Sequence, residues 1–195
     1  GANIGYSALA FAKAAKIAGN TLPRQILVEP NSRNFPFIRR NLKTVKGWDL
    51  LPLGLGRQTG FLRAGIPAHN RYRGRRIFMN TGLVTVRPDV DILPSTSISL
   101  PIVEVEALLA FAPRPTEIAF CKIDVEGGEL DVLQGLATWF KAKVIFEIEV
   151  NPLYQSSDDV NQIISLLESH GYSALSNAGT KETQTSNWLL VPNEL

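Results

Sequence analysis

The chain has 195 residues, 45% of them hydrophobic, which is enough for one domain with a sizeable core and too few for two ordinary ones. Its formal charge of +2 and isoelectric point near 8.8 are too mild for a general nucleic-acid binder, which needs a concentrated basic surface. The single cysteine, Cys121, rules out an intrachain disulfide, and neither a signal-like start nor a run of about 18 apolar residues is present, so a cytoplasmic protein without a membrane span is expected.

The chain opens GANIGYSALAFAK, where Gly1 and Gly5 run into an alanine-rich helical pattern. Ile4, Ala8, Phe11, Ala12 and Ala15 make a one-face stripe, and Gly19 supplies the stop. Glycine lets backbone approach a ligand closely, and a helix amino terminus offers free N–H groups, so the turn is a candidate cofactor contact. Alone, such a GxNxG is a weak signal.

The apolar run Ile26, Leu27, Val28 reads as a strand covered on both faces, ending on Glu29 and Pro30. Glu29 lies 24 residues after Gly5, about the separation at which Rossmann-like sites place a carboxylate on ribose hydroxyls. An exposed loop glutamate is the plain alternative. A second helix begins between Asn31 and Asn34, with Pro36 in its first turn and Phe35, Ile38 and Leu42 toward the core.

From about Asp49 to Pro101 short apolar pieces alternate with glycine, proline and arginine, predicting small strands and loops, with residues 54–101 as an irregular arginine-rich insert in the single domain. Between Arg57 and Pro88 there are seven arginines and no acid, a local field suited to an anionic acceptor. Arg71, Tyr72 and Arg73 are the candidate acceptor contacts, against a plainly solvated loop.

Order returns with a strand over about 118–123, a Gly-Gly turn, and one helix carrying Leu130, Leu133, Leu136 and Phe140. Cys121 in this strand is expected to be a reduced, buried thiol. Another strand follows in KVIFEIEVN. Ser157 is the expected cap of a helix with Val160, Ile163, Ile164 and Leu167 as its core stripe, closed by Gly171, and His170 has a structural place in its last turn. The runs at 172–175 and 187–191 are joined by a polar linker without helical periodicity, too little for a parallel crossover, so the final strand should be antiparallel.

In an open parallel sheet, ligands bind beyond the carboxyl ends of the strands. KIDVEGGEL and IFEIEVN put Asp124, Glu126, Glu147 and Glu149 near two such ends, where a carboxylate can take a proton from a substrate hydroxyl. Glu126 and Glu129 have a plainer reading, serving the dipole of the following helix. No His, Asp and Glu spacing suggests a metal, and none is expected.

GANIGYSAL, VEPNSRNFPFIRRNL, KIDVEGGELDVLQGL and IFEIE, in that order, resemble the FkbM family of S-adenosylmethionine-dependent methyltransferases over nearly the whole chain. The resemblance implies a class I methyltransferase fold, a Rossmann-like doubly wound α/β sheet with an antiparallel last strand, and methylation of hydroxyl oxygens on saccharides or natural-product scaffolds. It implies that Gly1, Ala2, Asn3 and Gly5 shape the turn around the methionine part of S-adenosyl-L-methionine, that Glu29, followed by Pro30, holds the ribose, and that Asp124 to Gly127 border the transfer site. Asp124 is then the first candidate base, with Glu147 as alternative and Glu126 beside them. Family members carry a buried strand and an acid before the glycine turn. This sequence has neither, so either another segment fills the gap or, as is expected, it is a fragment whose upstream residues form an apolar strand ending in an acid. The competing readings are an NAD(P)-binding Rossmann oxidoreductase and a non-catalytic binding module of the same fold.

Overall fold

The computed structural model describes residues 1–65, 91–92, 97–108, 114–152, 155–177 and 186–194. Helix α1 (Tyr6–Ile17) leads to β1 (Gln25–Val28), a 3-10 turn at Ser32–Asn34 and α2 (Phe35–Asn41). Strands β2 (Trp48–Leu51), β3 (Gly54–Gly56), β4 (Gly60–Ala64) and β5 (Ile98–Glu104) and helix α3 (Val105–Leu108) follow. The chain continues through β6 (Phe120–Ile123), α4 (Glu129–Gln134), α5 (Ala137–Lys141), β7 (Ile145–Val150), α6 (Ser157–Ser169), β8 (Tyr172–Asn177) and β9 (Ser186–Pro192).

The expected antiparallel last strand is present. In the sheet ordered β6-β7-β9-β8, β6 and β7 are parallel, and β9 inserts antiparallel between β7 and β8. Strand β7 alternates as a one-sided core strand should: Phe146, Ile148 and Val150 are buried, while Glu147 and Glu149 point the other way and are only half-buried. Its buried face meets Val132, Leu133, Leu136, Phe140, Ile163 and Leu167 in the main core. Tyr172 is anchored there by a hydroxyl that donates to Val144 O at 2.9 Å, and His170 keeps its structural place, its Nδ1 within 2.9 Å of Leu166 O. Cys121 is half-buried and packs against this core, where burial pushes its thiol up to about 12.

Several boundaries differ from expectation, each for a local reason. The strand before the Gly-Gly turn starts at Phe120, because Pro115–Glu117 forms a 3-10 turn just ahead of it. The single helix expected after that turn is two, α4 and α5, separated at Gly135 and Leu136. Gly135 sits so close to α3 that a Cβ there would lie 2.8 Å from Val105 Cγ2. The cap of α6 is Ser156 rather than Ser157, in a reciprocal capping box with Asp159. The described ends of the insert are ordered as the three-stranded sheet β3-β5-β4 around Ala64, Leu100 and Ile102.

A separate parallel pair, β1 and β2, packs Leu27 against Ile38 and Leu42 of α2 and its flank. Among the described residues no strand pairs with the second edge of β1 or of β6. The first two residues span the interval instead: Ala2 N donates to Val28 O at 2.9 Å, and the Gly1 nitrogen donates to Asp124 O. Helix α1 lies over this interval, and its apolar stripe is therefore only half-covered. No residue of α1 is fully buried, Phe11 is 42% exposed while stacking on Phe120, and Ile17 is 88% exposed.

Candidate functional site

The carboxyl ends of β1, β6 and β7 meet where the sequence suggests a ligand should bind. The turn before α1 needs unusual backbone, with Asn3 at φ +50 and Gly5 at φ +81, and Gly5 is buried against Leu42 and Ile38. Asn41 Nδ2 donates to Ile4 O at 2.8 Å and holds the turn to α2. A Cβ on Gly1 would lie 3.2 Å from Asp124 O and 3.5 Å from Glu29 Oε2, so Gly1, Glu29 and Asp124 converge on one point.

Glu29 is 5% exposed and heavily engaged. Its Oε2 accepts from Asn3 N at 2.7 Å, and its Oε1 accepts from Asn31 N at 2.9 Å and Asn34 Nδ2 at 3.1 Å. Burial raises its pKa, and these three donors act against that rise. The exposed-loop alternative is therefore wrong for this residue. Asn34 is buried as well, and its Oδ1 has no hydrogen-bond partner among the described residues. Sequence reasoning used Asn34 only as a cap; the 3-10 turn is in fact capped by Asn31, whose side chain accepts from Arg33 N. Pro30 faces the insert, its Cγ 3.4 Å from where a Cβ of Gly54 would stand.

At the other side, Lys122 reaches Asp124 at 3.4 Å and Glu147 at 3.3 Å, a contact that follows from the direct pairing of Lys122 with Glu147 across β6 and β7. Glu149, one turn of the pleat beyond Glu147, shares a hydrogen bond with Asp124, and burial followed by the Asp124 charge raises its pKa. Glu126 is pushed up to about 9, first by burial and then by Asp124, Glu149 and Glu129. A carboxyl that keeps its proton at neutral pH donates a hydrogen bond and is unsuited to act as a base. That rise favours a donor role over a base role for Glu126, and Asp124 neighbours both Glu126 and Glu149.

The buried pair Glu129 and Gln155 joins the loops after β6 and β7. From the sequence alone Glu129 has only a dipole role, and Gln155 lies in no motif. Arg71, Tyr72 and Arg73 lie outside the described residues. Among the described residues no group of three or more His, Cys, Asp and Glu side chains is arranged to hold a metal ion, and no helix is long and apolar enough to cross a membrane.

The family model for the methyltransferase FkbM domain matches residues 1–174. The chain belongs to the FkbM methyltransferase family. Its fold is similar to the crystal structure of methyltransferase FkbM from Methylobacillus flagellatus KT, with a TM-score of 0.62 at 17% identity, covering 97% of this chain and 41% of that one. The chain thus spans about two-fifths of the length of that structure. A precorrin-6y C5,15-methyltransferase from Geobacter metallireducens GS-15 aligns over 98% of this chain and 76% of its own, at 16% identity and a TM-score of 0.49. No curated protein sequence matches. An α/β, Rossmann-like methyltransferase fold with mixed sheets is the architecture of this FkbM domain.

Proposed function

We propose that this FkbM domain transfers a methyl group from S-adenosyl-L-methionine to a hydroxyl oxygen of a saccharide or natural-product acceptor. The observation that carries the reading is the convergence of Gly1, Glu29 and Asp124 at the ends of neighbouring strands. The residues suit the cofactor: the space at Gly1 is one a Cβ would fill, and Asn34 Oδ1 is a buried acceptor without a partner beside Glu29. Gly1, Ala2, Asn3 and Gly5 would border its methionine part, and Glu29 with Asn34 would accept from its ribose hydroxyls. Glu29 Oε2 retains acceptor capacity beyond its bond to Asn3 N. The antiparallel β9 counts against the nicotinamide alternative.

Bound there, S-adenosyl-L-methionine would supply an electrophilic methyl on a sulfonium, so that forming the acceptor O–C bond would break the S–C bond and require the hydroxyl to lose its proton. Asp124 is the residue we assign to take that proton, held toward the site by Lys122. Glu126, pushed up to about 9 by burial and then by the neighbouring acids, would donate a hydrogen bond to the acceptor in this reading. Glu147, paired with the same lysine, is the alternative base. The chain's own task is orientation and water exclusion. Arg71, Tyr72 and Arg73 remain our candidates for the acceptor, with an anionic or carrier-linked one suiting the arginines best.

In the same reading, an apolar strand running parallel between β1 and β6 completes the sheet, with Gly1 and Ala2 as its continuation. Calorimetric titration of S-adenosyl-L-methionine into this chain, and into one extended upstream by such a strand, tests both ideas. Binding by either supports the cofactor assignment, and tighter binding by the extended form supports the strand. No binding by either overturns the methyltransferase reading and leaves a domain with the fold alone.

A further inference from the structure

Acids in the first turn of a helix usually act on the dipole from the surface. Glu129 opens α4 but is only 2% exposed, and a buried carboxylate needs strong hydrogen-bond compensation. It receives three donors: Val125 N to Oε1 at 2.9 Å, Gly127 N to Oε2 at 3.0 Å, and Gln155 Nε2 to Oε2 at 2.7 Å. The first two belong to the residues on either side of Glu126. That residue stands at φ +56, a left-handed conformation that a glutamate adopts at a cost and only when its surroundings hold it there.

Gln155 is 7% exposed and saturated in turn. Its Oε1 accepts from Asn151 N at 2.8 Å, and its Nε2 also reaches Glu149 O at 3.3 Å. Both ends of one amide are therefore used to tie the segment after β7 to a carboxylate that grips the segment after β6. A glutamate serving only the dipole would need neither the burial nor the glutamine.

We propose that Glu129 and Gln155 form a positioning clamp that locks the backbone on both sides of Glu126 and carries its carboxyl among the acids at the ends of β6 and β7. The clamp itself follows from these contacts alone; its service to an acceptor hydroxyl rests on the methyltransferase reading. The side chains within electrostatic reach of Glu126 are those of Asp124, Glu149 and Glu129, and each favours its protonated form. Burial first, and then those acids, push its carboxyl up to about 9.

The test is Gln155→Leu, which removes the amide and leaves Glu129 in place, followed by NMR on the whole chain. Wild-type protein should show slow exchange of the Val125 and Gly127 amides, a Cα–Hα coupling at Glu126 typical of positive φ, and a Glu126 side-chain carbon that titrates well above the usual carboxylate range. In the variant, exchange of both amides should rise at least about tenfold, the coupling should move to its ordinary value, and the midpoint should fall by about one pH unit or more. Unchanged exchange, coupling and midpoint beside a lowered melting temperature would reduce the pair to a plain structural tie and overturn the proposal. Should Gln155→Leu not fold, Gln155→Glu serves: two carboxylates in this contact can share a proton in acid, so the Val125 and Gly127 amides should be protected near pH 5 and released near pH 8. Equal protection at both overturns it. None of these readouts uses cofactor or acceptor, so failure of the clamp and failure of cofactor binding are separate results.

Discussion

Glu126→Gln isolates the energetic consequence of burying a protonated acid. An unfolded glutamate titrates near 4.5, while in the fold burial, then Asp124, Glu149 and Glu129, push Glu126 up to about 9. Between these limits the folded state holds a proton that the unfolded state has released, so the stability of the wild type must fall as pH rises. At about 1.36 kcal/mol per unit, and with half the protons already lost near the folded midpoint, Glu126 alone removes about 3 to 4 kcal/mol between about pH 6 and about pH 9. That is a large share of a typical net stability of about 5 to 15 kcal/mol. Glutamine keeps the shape and has no proton to lose. Urea unfolding at a series of pH values, extrapolated to water, should therefore give a variant whose stability declines less steeply, with the difference opening toward alkaline pH. The raised carboxyls of Glu29, Glu129 and Glu149 leave the variant some slope of the same sign. Two parallel curves would refute the assignment of a retained proton to Glu126.

Asp124→Asn should leave calorimetric affinity for S-adenosyl-L-methionine nearly unchanged while lowering transfer of labelled methyl to a saccharide panel by on the order of a hundredfold or more. Glu29→Gln removes the charge from an oxygen pair serving Asn3, Asn31 and Asn34, and should cost about 2 kcal/mol in denaturant unfolding along with a loss of cofactor affinity. Gly135→Ala drives a methyl into Val105 and should cost roughly 1 to 3 kcal/mol, with partial recovery in the double variant that also carries Val105→Ala.

The parts of the fold legible in the sequence are those that repeat a local rule. Helix α6 shows its stripe at Val160, Ile163 and Leu167, and the unhelical linker before residue 187 already implies that β9 runs antiparallel. Its cap was misplaced by one residue because Ser156 and Ser157 are equal candidates until Asp159 closes the box on the first. The break at Gly135 was hidden for a different reason. Leucines at 130, 133 and 136 continue a helical period straight through it, and the approach of Val105, thirty residues away, which leaves room only for glycine at 135, is not visible in the sequence. Motif logic put Asp124 ahead of Glu126 but could not show how differently the two are surrounded, since that comes from burial and from neighbours on β7. Gln155 carried no signal at all: an amide between two turns looks like any polar residue until the carboxylate it meets is known.

The glycine turn and Glu29 looked in the sequence like two separate offers to a ligand, and in the fold they are first bound to each other. Asn3 N spends its proton on Glu29 Oε2, Ala2 N spends its own on Val28 O, and the Gly1 nitrogen is taken by Asp124 O. What the turn presents to a ligand is thus close backbone and shape more than free amides. The same contacts help join the β1–β2 pair to the sheet that begins with β6, alongside Leu51 of β2, which packs against the main core. A cofactor lying across Gly1, Glu29 and Asp124 would touch both sides of that joint, binding the folded state and not the unfolded one. At about a hundredfold excess over its dissociation constant it should add about 2.7 kcal/mol to stability, so a melting temperature that rises with S-adenosyl-L-methionine concentration is the expected mark of a site built on a seam.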